Sequence, residues 1–216
     1  DPAGYCGVRL GFTHHQGDAV RVVVIDSGGA NIGSVMFALE RLGVTGELTR
    51  DHGRIRSASR VILPGVGAAA DAMTRLREYE LGELIPTLTQ PVLGICLGMQ
   101  LLFEHSDEGD SVCLGVLPGK VERMSAAENL PVPHMGWNTV ESLGETPLLA
   151  GVEGQHFYFV HGYAVKSSEC STATTEYGGR FVSVASRDNF FATQFHPERS
   201  GAAGGRRIAN FLGMYQ

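Results

Sequence analysis

The sequence predicts an α/β fold: a single domain with a central, mostly parallel sheet, flanking helices, and an antiparallel or mixed extension in the C-terminal half. Three observations carry this. In the first half, short β-branched apolar runs alternate with stretches of helical period, the pattern of βαβ units with right-handed crossovers. After about Gly109, short strand-like runs follow one another with only turns between them. No repeat, linker or low-complexity block divides the 216 residues, a length that fills one large core. Residues 1–19, Gly-rich and aperiodic, read as a tail without the basic start and apolar core of a secretory signal. Residues 20–216 are then the domain.

The elements follow in order. Arg21–Asp26 (RVVVID) is continuously apolar and β-branched, as a strand buried on both faces should be. Ser27–Ala30 is a turn and Asn31 a candidate cap. Ile32, Val35, Met36, Leu39 and Leu42 share one helical face, closed by Gly43. Weaker strand character lies at Thr45–Leu48. Val61–Leu63 is a buried strand ended by Pro64-Gly65-Val66-Gly67. Helices are expected over Ala68–Glu78 and near Leu81–Leu88, a strand over Val92–Ile95, and a helix over Leu97–Glu104. The second half should hold strands at Gly119–Met124, Thr139–Glu141, Phe157–His161, Ala164–Lys166, Phe181–Ser186 and Phe190–Gln194. Ile208–Leu212 looks like a closing helix.

Bulk properties exclude several roles. The net charge is −6 and there is no basic block, which disfavours nucleic acid and anionic membranes as partners. No apolar run approaches the ~20 residues that span a bilayer. The four cysteines are far apart, with no C-x-x-C pair, so neither a zinc site nor a disulfide framework is expected and a reducing, cytoplasmic setting fits. The eight histidines have no zinc-ligand spacing, and no metal or cofactor is expected. Gly28–Gly33 mimics a dinucleotide fingerprint but lacks its middle glycine. No phosphate-binding G-x-x-x-x-G-K-[ST] loop is present.

Chemistry concentrates in three segments. Gly94-Ile95-Cys96-Leu97-Gly98 is a strand followed by G-x-C-x-G and apolar helical sequence, the grammar of a nucleophile elbow. Small residues are needed on either side of so sharp a turn. The turn would set the thiol at a helix N-terminus, where the macrodipole favours thiolate. A base is offered by Gln194-Phe195-His196-Pro197-Glu198. Proline after His196 biases it to extended backbone, so His196 and Glu198 would point to the same side and meet. Pro64–Gly67, after a parallel strand, would lie on the same sheet edge as Cys96. An oxyanion hole would take the Leu97 N–H and a donor from that loop. Each segment has a plain alternative: a core cysteine, a surface H-P-E turn, a Pro-Gly turn. It is their combination that is specific.

That combination resembles class I (triad-type) glutamine amidotransferases from about Arg21 to the C-terminus. Pro133–Asn138 (PHMGWN), Phe157–Tyr163 (FYFVHGY) and Asp26–Ile32 (DSGGANI) narrow the likeness to the glutaminase subunits of imidazole glycerol phosphate synthase. The resemblance implies that Cys96 attacks the side-chain amide of L-glutamine, with His196 as base and acid and Glu198 orienting it. It implies a γ-glutamyl thioester, Leu97 and Val66 as oxyanion donors, and a glutamine held by Gly65, Gly67, Gln100, Glu108 and the backbone of His161, Gly162 and Tyr163. It also implies a separate (β/α)8-barrel cyclase subunit that uses the ammonia in histidine biosynthesis, with low glutaminase activity until that partner is occupied. Asn31, Trp137, Asn138, Tyr158 and Arg199 would face it. Two positions depart from the pattern. Arg199 stands where relatives usually carry lysine, and Ser27 and Ala30 depart from the usual opening turn. A planar guanidinium is not interchangeable with a point charge, so the interface is where a difference is expected. An amidotransferase serving another synthase, or a non-catalytic module of the same fold, remain the other readings.

Overall fold

The computed structural model describes residues 20–28, 32–126, 130–144, 146–151 and 154–213. The expected tail and the candidate cap and interface residue Asn31 lie outside them. In chain order the strands and helices are β1 (Val22–Ile25), α1 (Ile32–Arg41), β2 (Gly46–Thr49), α2 (His52–Ser57), β3 (Arg60–Leu63), α3 (Ala69–Glu78), α4 (Leu81–Leu84), β4 (Val92–Ile95), α5 (Leu97–Leu102), β5 (His105–Ser106), β6 (Ser111–Val112), β7 (Lys120–Arg123), β8 (His134–Thr139), β9 (Glu141–Ser142), β10 (His156–His161), β11 (Tyr163–Val165), β12 (Ser171–Glu176), β13 (Arg180–Arg187), β14 (Phe190–Thr193) and α6 (Gly201–Gly213).

The main sheet runs β2-β1-β3-β4-β14-β13-β12-β9. From β2 to β14 neighbours are parallel; from β14 outward they are antiparallel. The expected extension therefore continues the same sheet. A mixed four-stranded sheet (β11-β7-β5-β6), parallel only between β7 and β5, and the antiparallel ribbon β8–β10 lie outside it.

The apolar runs are continuous because both faces of the parallel strands are covered. Val23, Ile25, Val61 and Leu63 pack into one layer with α3, α4 and α5. Their alternate neighbours Val22, Val24, Ile62 and Leu93 pack into the other, with α1, α6 and the aromatic cluster Phe157, Phe159 and Phe195. Each such side chain removed from water contributes about 1.5–3 kcal/mol.

Several expectations are corrected. Helix α5 ends at Leu102 rather than Glu104, because Phe103 turns extended and its carbonyl accepts from Gly115 N–H. The strand expected at Thr139–Glu141 is the end of one strand and the start of another: Val140 separates β8, paired with β10, from β9, paired with β12. Helix α2 and strand β12 were not anticipated. The first is a single polar turn-and-a-half capped by Asp51, whose side chain accepts from Arg54 N–H. The second (STATTE) carries threonine where apolar residues mark other strands.

Candidate active site

Strand β4 lies between β3 and β14 and is parallel to both. The carboxyl ends of these neighbours therefore deliver Pro64–Gly67, Cys96 and Gln194–Glu198 to one place. The delivery is locked by backbone: Cys96 N–H donates to Thr193 O at 2.8 Å, and Gln100 N–H donates to Cys96 O at 3.2 Å, starting α5. Cys96 has φ 53° and ψ −109°, a conformation that L-residues rarely adopt. The elbow is thus strained at Cys96, and only a turn this sharp passes from β4 to α5 without an intervening loop.

The flanking glycines are contact points. A Cβ on Gly98 would lie 1.9 Å from Leu63 O, and one on Gly94 2.8 Å from Gly98 O. A Cβ on Gly65 would lie 2.8 Å from Gly98 N. The P-G-V-G loop and the elbow therefore touch backbone to backbone, with Gly65 against the first turn of α5 beside the Leu97 N–H. Gly67 has φ +93°.

His196 is extended (φ −95°, ψ 95°), as proline after it dictates. Glu198, however, lies in a 3₁₀ turn over Pro197–Arg199, not in continued extended chain. The His196 Nδ1–Glu198 Oε1 contact of 2.7 Å is made by that turn. Both side chains are almost wholly buried. With Nδ1 held by the carboxylate, Nε2 is the nitrogen left for the Cys96 sulfur. Burial opposes a charged imidazole here, but hydrogen bonding and charge from Cys96 and Glu198 outweigh it and push His196 up to about 10. A protonated imidazole is therefore favoured at this position, with Glu198 on one nitrogen and the other buried and unpartnered.

The other expected residues distribute as follows. Val66 and Gly65 line a small cavity of about 10 Å³ with Pro64, Ile95, His196 and Glu198. The Gln100 amide is engaged, donating to Tyr163 O at 2.9 Å and to Gln194 Oε1 at 3.0 Å. Glu108 Oε2 accepts from Ala69 N–H at 2.8 Å, capping α3 just beyond the P-G-V-G loop. Gly162 O accepts from Met124 N–H at 2.9 Å. His161 is buried, and Val160 O lies 3.9 Å from Cys96 Sγ, so β10 passes over the thiol. Trp137, Tyr158 and Arg199 come together at the surface. The Trp137 and Tyr158 rings meet edge-on at 6.1 Å, and the Arg199 guanidinium stands 5.3 Å from the Tyr158 ring centre. Trp137 is 56% exposed. Asn138 turns to the other side of β8 and donates to Glu176 O at 3.0 Å.

Sequence reasoning missed three contributors. Ser200 Oγ donates to His196 O at 2.6 Å and accepts from Tyr158 N–H at 2.9 Å, tying the histidine backbone to β10. Gly204 lets α6 approach the H-P-E turn, for a Cβ there would lie 1.9 Å from Pro197 O. His134 pairs with His161. The acceptor-only Tyr163 carbonyl fixes that pair: His161 Nδ1–H donates to it at 2.9 Å, so His161 Nε2 accepts from His134 Nδ1–H at 3.2 Å, and His134 Nε2 faces the Asn138 amide at 3.4 Å. Both imidazoles are neutral. Burial lowers His134 to about 4; burial, helped by the charges of His134 and His196 and opposed by the Tyr163 carbonyl, lowers His161 to about 3. Their chain leads from beside the thiol to a hollow of about 560 Å³ lined by His134, Met135, Trp137, Asn138 and Tyr177. The larger hollow is lined by none of Cys96, His196 and Glu198, whereas the smaller one is lined by His196 and Glu198.

These histidines set a pH dependence. The unfolded chain protonates near 6.5 and the folded pair does not, so their stabilisation is present above pH 6.5 and lost as pH falls toward 4 and 3. The slope approaches about 3 kcal/mol per pH unit for the two together. His196 acts oppositely: its stabilisation is complete below 6.5 and is lost as pH rises toward 10. Urea unfolding as a function of pH should give a stability maximum between these limits. His134→Phe, which keeps the stack on Tyr177 (rings 3.9 Å apart), should roughly halve the acid slope. A flat profile between about pH 6.5 and 5 would contradict the neutral pair.

Comparison with known proteins agrees with this geometry. The family model for "Glutamine amidotransferase class-I" matches residues 23–213. The chain belongs to the class-I glutamine amidotransferases. Among curated amidotransferase relatives, "Imidazole glycerol phosphate synthase subunit HisH" of Xanthomonas euvesicatoria pv. vesicatoria is 53% identical over 194 residues, covering 89% of this chain and 97% of that protein. The protein of the same name from Xylella fastidiosa is 52% identical with the same coverage. This is strong homology to the HisH glutaminase subunit. Two solved amidotransferase structures share the fold: one at TM-score 0.70 and 20% identity, covering 89% of this chain and 97% of that one, and one from Thermotoga maritima at 0.62 and 22%, covering 94% and 83%. Among the described residues no helix is long and apolar enough to cross a membrane.

Proposed function

We propose that this amidotransferase is the glutaminase subunit of an imidazole glycerol phosphate synthase, with residues 20–216 as its catalytic unit and the cytoplasm as its setting. The reading rests on one observation above all. Cys96, His196 and Glu198 converge at the carboxyl ends of adjacent parallel strands, with His196 Nδ1 bonded to Glu198 and its buried Nε2 unpartnered, and with an elbow N–H and a glycine loop beside them. Cys96 sulfur attacks the glutamine carboxamide carbon, and the oxyanion is received by Leu97 N–H and by Val66 N–H once the loop presents it. The His196 imidazolium, held by Glu198, gives its proton to the departing ammonia. Water, deprotonated by the now neutral His196, cleaves the thioester to glutamate and restores the pair.

Beside the triad the cavity of about 10 Å³ has room for about one water, not for glutamine. Opening it requires the Pro64–Gly67 loop to move, which supports a resting state that waits for a partner. Gly65, Gly67, Gln100, Glu108 and the His161–Tyr163 backbone are proposed to hold the opened substrate. The surface cluster Trp137–Tyr158–Arg199, with Asn31, is proposed to meet a (β/α)8-barrel cyclase that receives the ammonia, whereas Asn138 points away from that face to Glu176 O. The test is glutamine hydrolysis by the chain alone, with the barrel subunit, and with the barrel subunit plus its nucleotide ligand. Activity should be low alone and rise at least tenfold, or about 1.4 kcal/mol in the barrier, in the complete assembly. Rapid turnover by the isolated chain would contradict this reading.

A further inference from the structure

The sequence reading gave Gln194 no role beyond membership of the Q-F-H-P-E segment. Its side chain is completely buried. Backbone geometry puts it against the nucleophile: Thr193 O accepts from Cys96 N–H at 2.8 Å, and Gln194 is the next residue. Near-extended chain turns residues two apart to the same side, so Gln194 and His196 address the sulfur together. Gln194 Nε2 lies 3.8 Å from Cys96 Sγ.

Which end of that amide faces sulfur is settled by a chain of partners. Tyr163 O can only accept, so the Gln100 atom 2.9 Å from it is the amide nitrogen. The same nitrogen lies 3.0 Å from Gln194, and the Gln194 atom facing it must accept, so that atom is Oε1. Gln194 Nε2 then has no choice but to point at Cys96. A backbone carbonyl on β11 thereby fixes, through Gln100, the orientation of a donor at the thiol. The sulfur thus lies between a fixed donor, Gln194 Nε2 at 3.8 Å, and a fixed acceptor, Val160 O at 3.9 Å. The donor restrains the side chain on its Gln194 side, away from free rotation in a strained elbow.

We infer that Gln194 is a positioning residue that holds Cys96 Sγ in its attack orientation, with Gln100 setting the direction of the Gln194 amide. The inference rests on the reading of Cys96 as the nucleophile. The titratable groups around the sulfur are His196, backed by Glu198, from the segment after β14, and His161 from β10. The P-G-V-G loop and the Leu97–Gln100 turn contribute none. Gln194 is thus an uncharged donor acting beside the His196 ion pair, and its removal should leave that pair in place.

The test is the pH dependence of Cys96 alkylation by iodoacetamide in the full chain, quantified by mass spectrometry of the Cys96 peptide. Cys113 serves as the internal reference, since burial, against a small opposing effect of Arg77, pushes its thiol up to about 11. Gln194→Met removes the donor at nearly constant volume. Gln194→Asn keeps an amide but falls one methylene short, and covers the case in which the methionine variant does not fold. Both should slow labelling about fivefold at every pH from 6 to 9, the signature of a sulfur no longer held in its attack orientation. Gln100→Met, which frees the Gln194 amide to flip, should slow it about twofold. Glutamine turnover in the assembled enzyme should lose kcat with little change in KM for the Gln194 variants. Superimposable labelling profiles in folded Gln194 variants would overturn the inference while leaving Cys96 as nucleophile. Failure of the wild type to label Cys96 ahead of Cys113 would remove the nucleophile reading and this inference with it.

Discussion

Cys96→Ala is expected to abolish glutamine hydrolysis, by about 10⁴-fold or more, while the assembled synthase still makes product from added ammonium salt. Loss of a covalent nucleophile removes the pathway through the thioester, and the triad's other members cannot supply one. The folded state should survive. Alanine occupies the same positive-φ position with the same strain as cysteine (φ 53°), and the backbone bonds Cys96 N–H to Thr193 O and Gln100 N–H to Cys96 O do not involve the side chain. The buried imidazole loses its sulfur partner, so the pKa of His196, which both Cys96 and Glu198 raise, should fall. That fall is measurable by NMR titration and separates the loss of the ion pair from any change of fold. Ammonia measured from glutamine in the complex decides the assignment: residual hydrolysis near the wild-type rate would mean that another group is the nucleophile. Ammonium-dependent synthesis should persist because it bypasses every step at Cys96.

Much of this was legible in the sequence, for identifiable reasons. The parallel half reads well because its strands are buried on both faces, so β1, β3 and β4 are unbroken apolar runs. The elbow reads well because its glycines are demanded by backbone contact: Gly94 and Gly98 each touch backbone at distances no side chain survives. The antiparallel half reads less well. Strand β12 has threonines at buried positions 174 and 175, and its bulges between Ser171 and Thr174 shift the register, so neither hydrophobicity nor alternation announces it. PHMGWN was quoted as a motif but not as strand β8, because its glycine has φ +141° and its exposed residues are the large apolar ones, Met135 and Trp137.

The site shows the same division. A motif carries its own local geometry, so Cys96, His196 and Glu198 could be put forward from their segments taken together, although the last contact is made by a 3₁₀ turn and not by extended chain. What spacing cannot carry is a contact between distant segments. Glu108 capping Ala69, Ser200 bridging His196 to Tyr158, and the path from Tyr163 through Gln100 and Gln194 to the thiol all join segments distant along the chain. Only the i, i+2 relation of Gln194 to His196 offered a hint.

Gly98→Ala should be the most damaging single methyl that the site can receive. Its Cβ would be 1.9 Å from the Leu63 carbonyl oxygen, and no rotamer relieves a clash with backbone. Leu63 cannot retreat, because it pairs with Gly94 at the β3–β4 seam. Nor can α5 withdraw, since Gly98 N also meets Gly65, and the Leu97 N–H would move away from the oxyanion position. A helix would ordinarily gain about 1 kcal/mol from glycine to alanine. Here overpacking against backbone should cost about 3 kcal/mol or more, with glutaminase activity falling even in the fraction that folds. Two neighbours in α6 provide the contrast. Gly204 faces Pro197 O at 1.9 Å and should behave like Gly98, dragging the H-P-E turn with it, whereas Gly205 has open space and its alanine variant should be about 1 kcal/mol more stable than wild type. Urea unfolding of the Gly98, Gly204 and Gly205 variants therefore carries a prediction of sign as well as size. Equal effects at Gly204 and Gly205 would mean that α6 does not seat against the catalytic turn as the backbone contact requires.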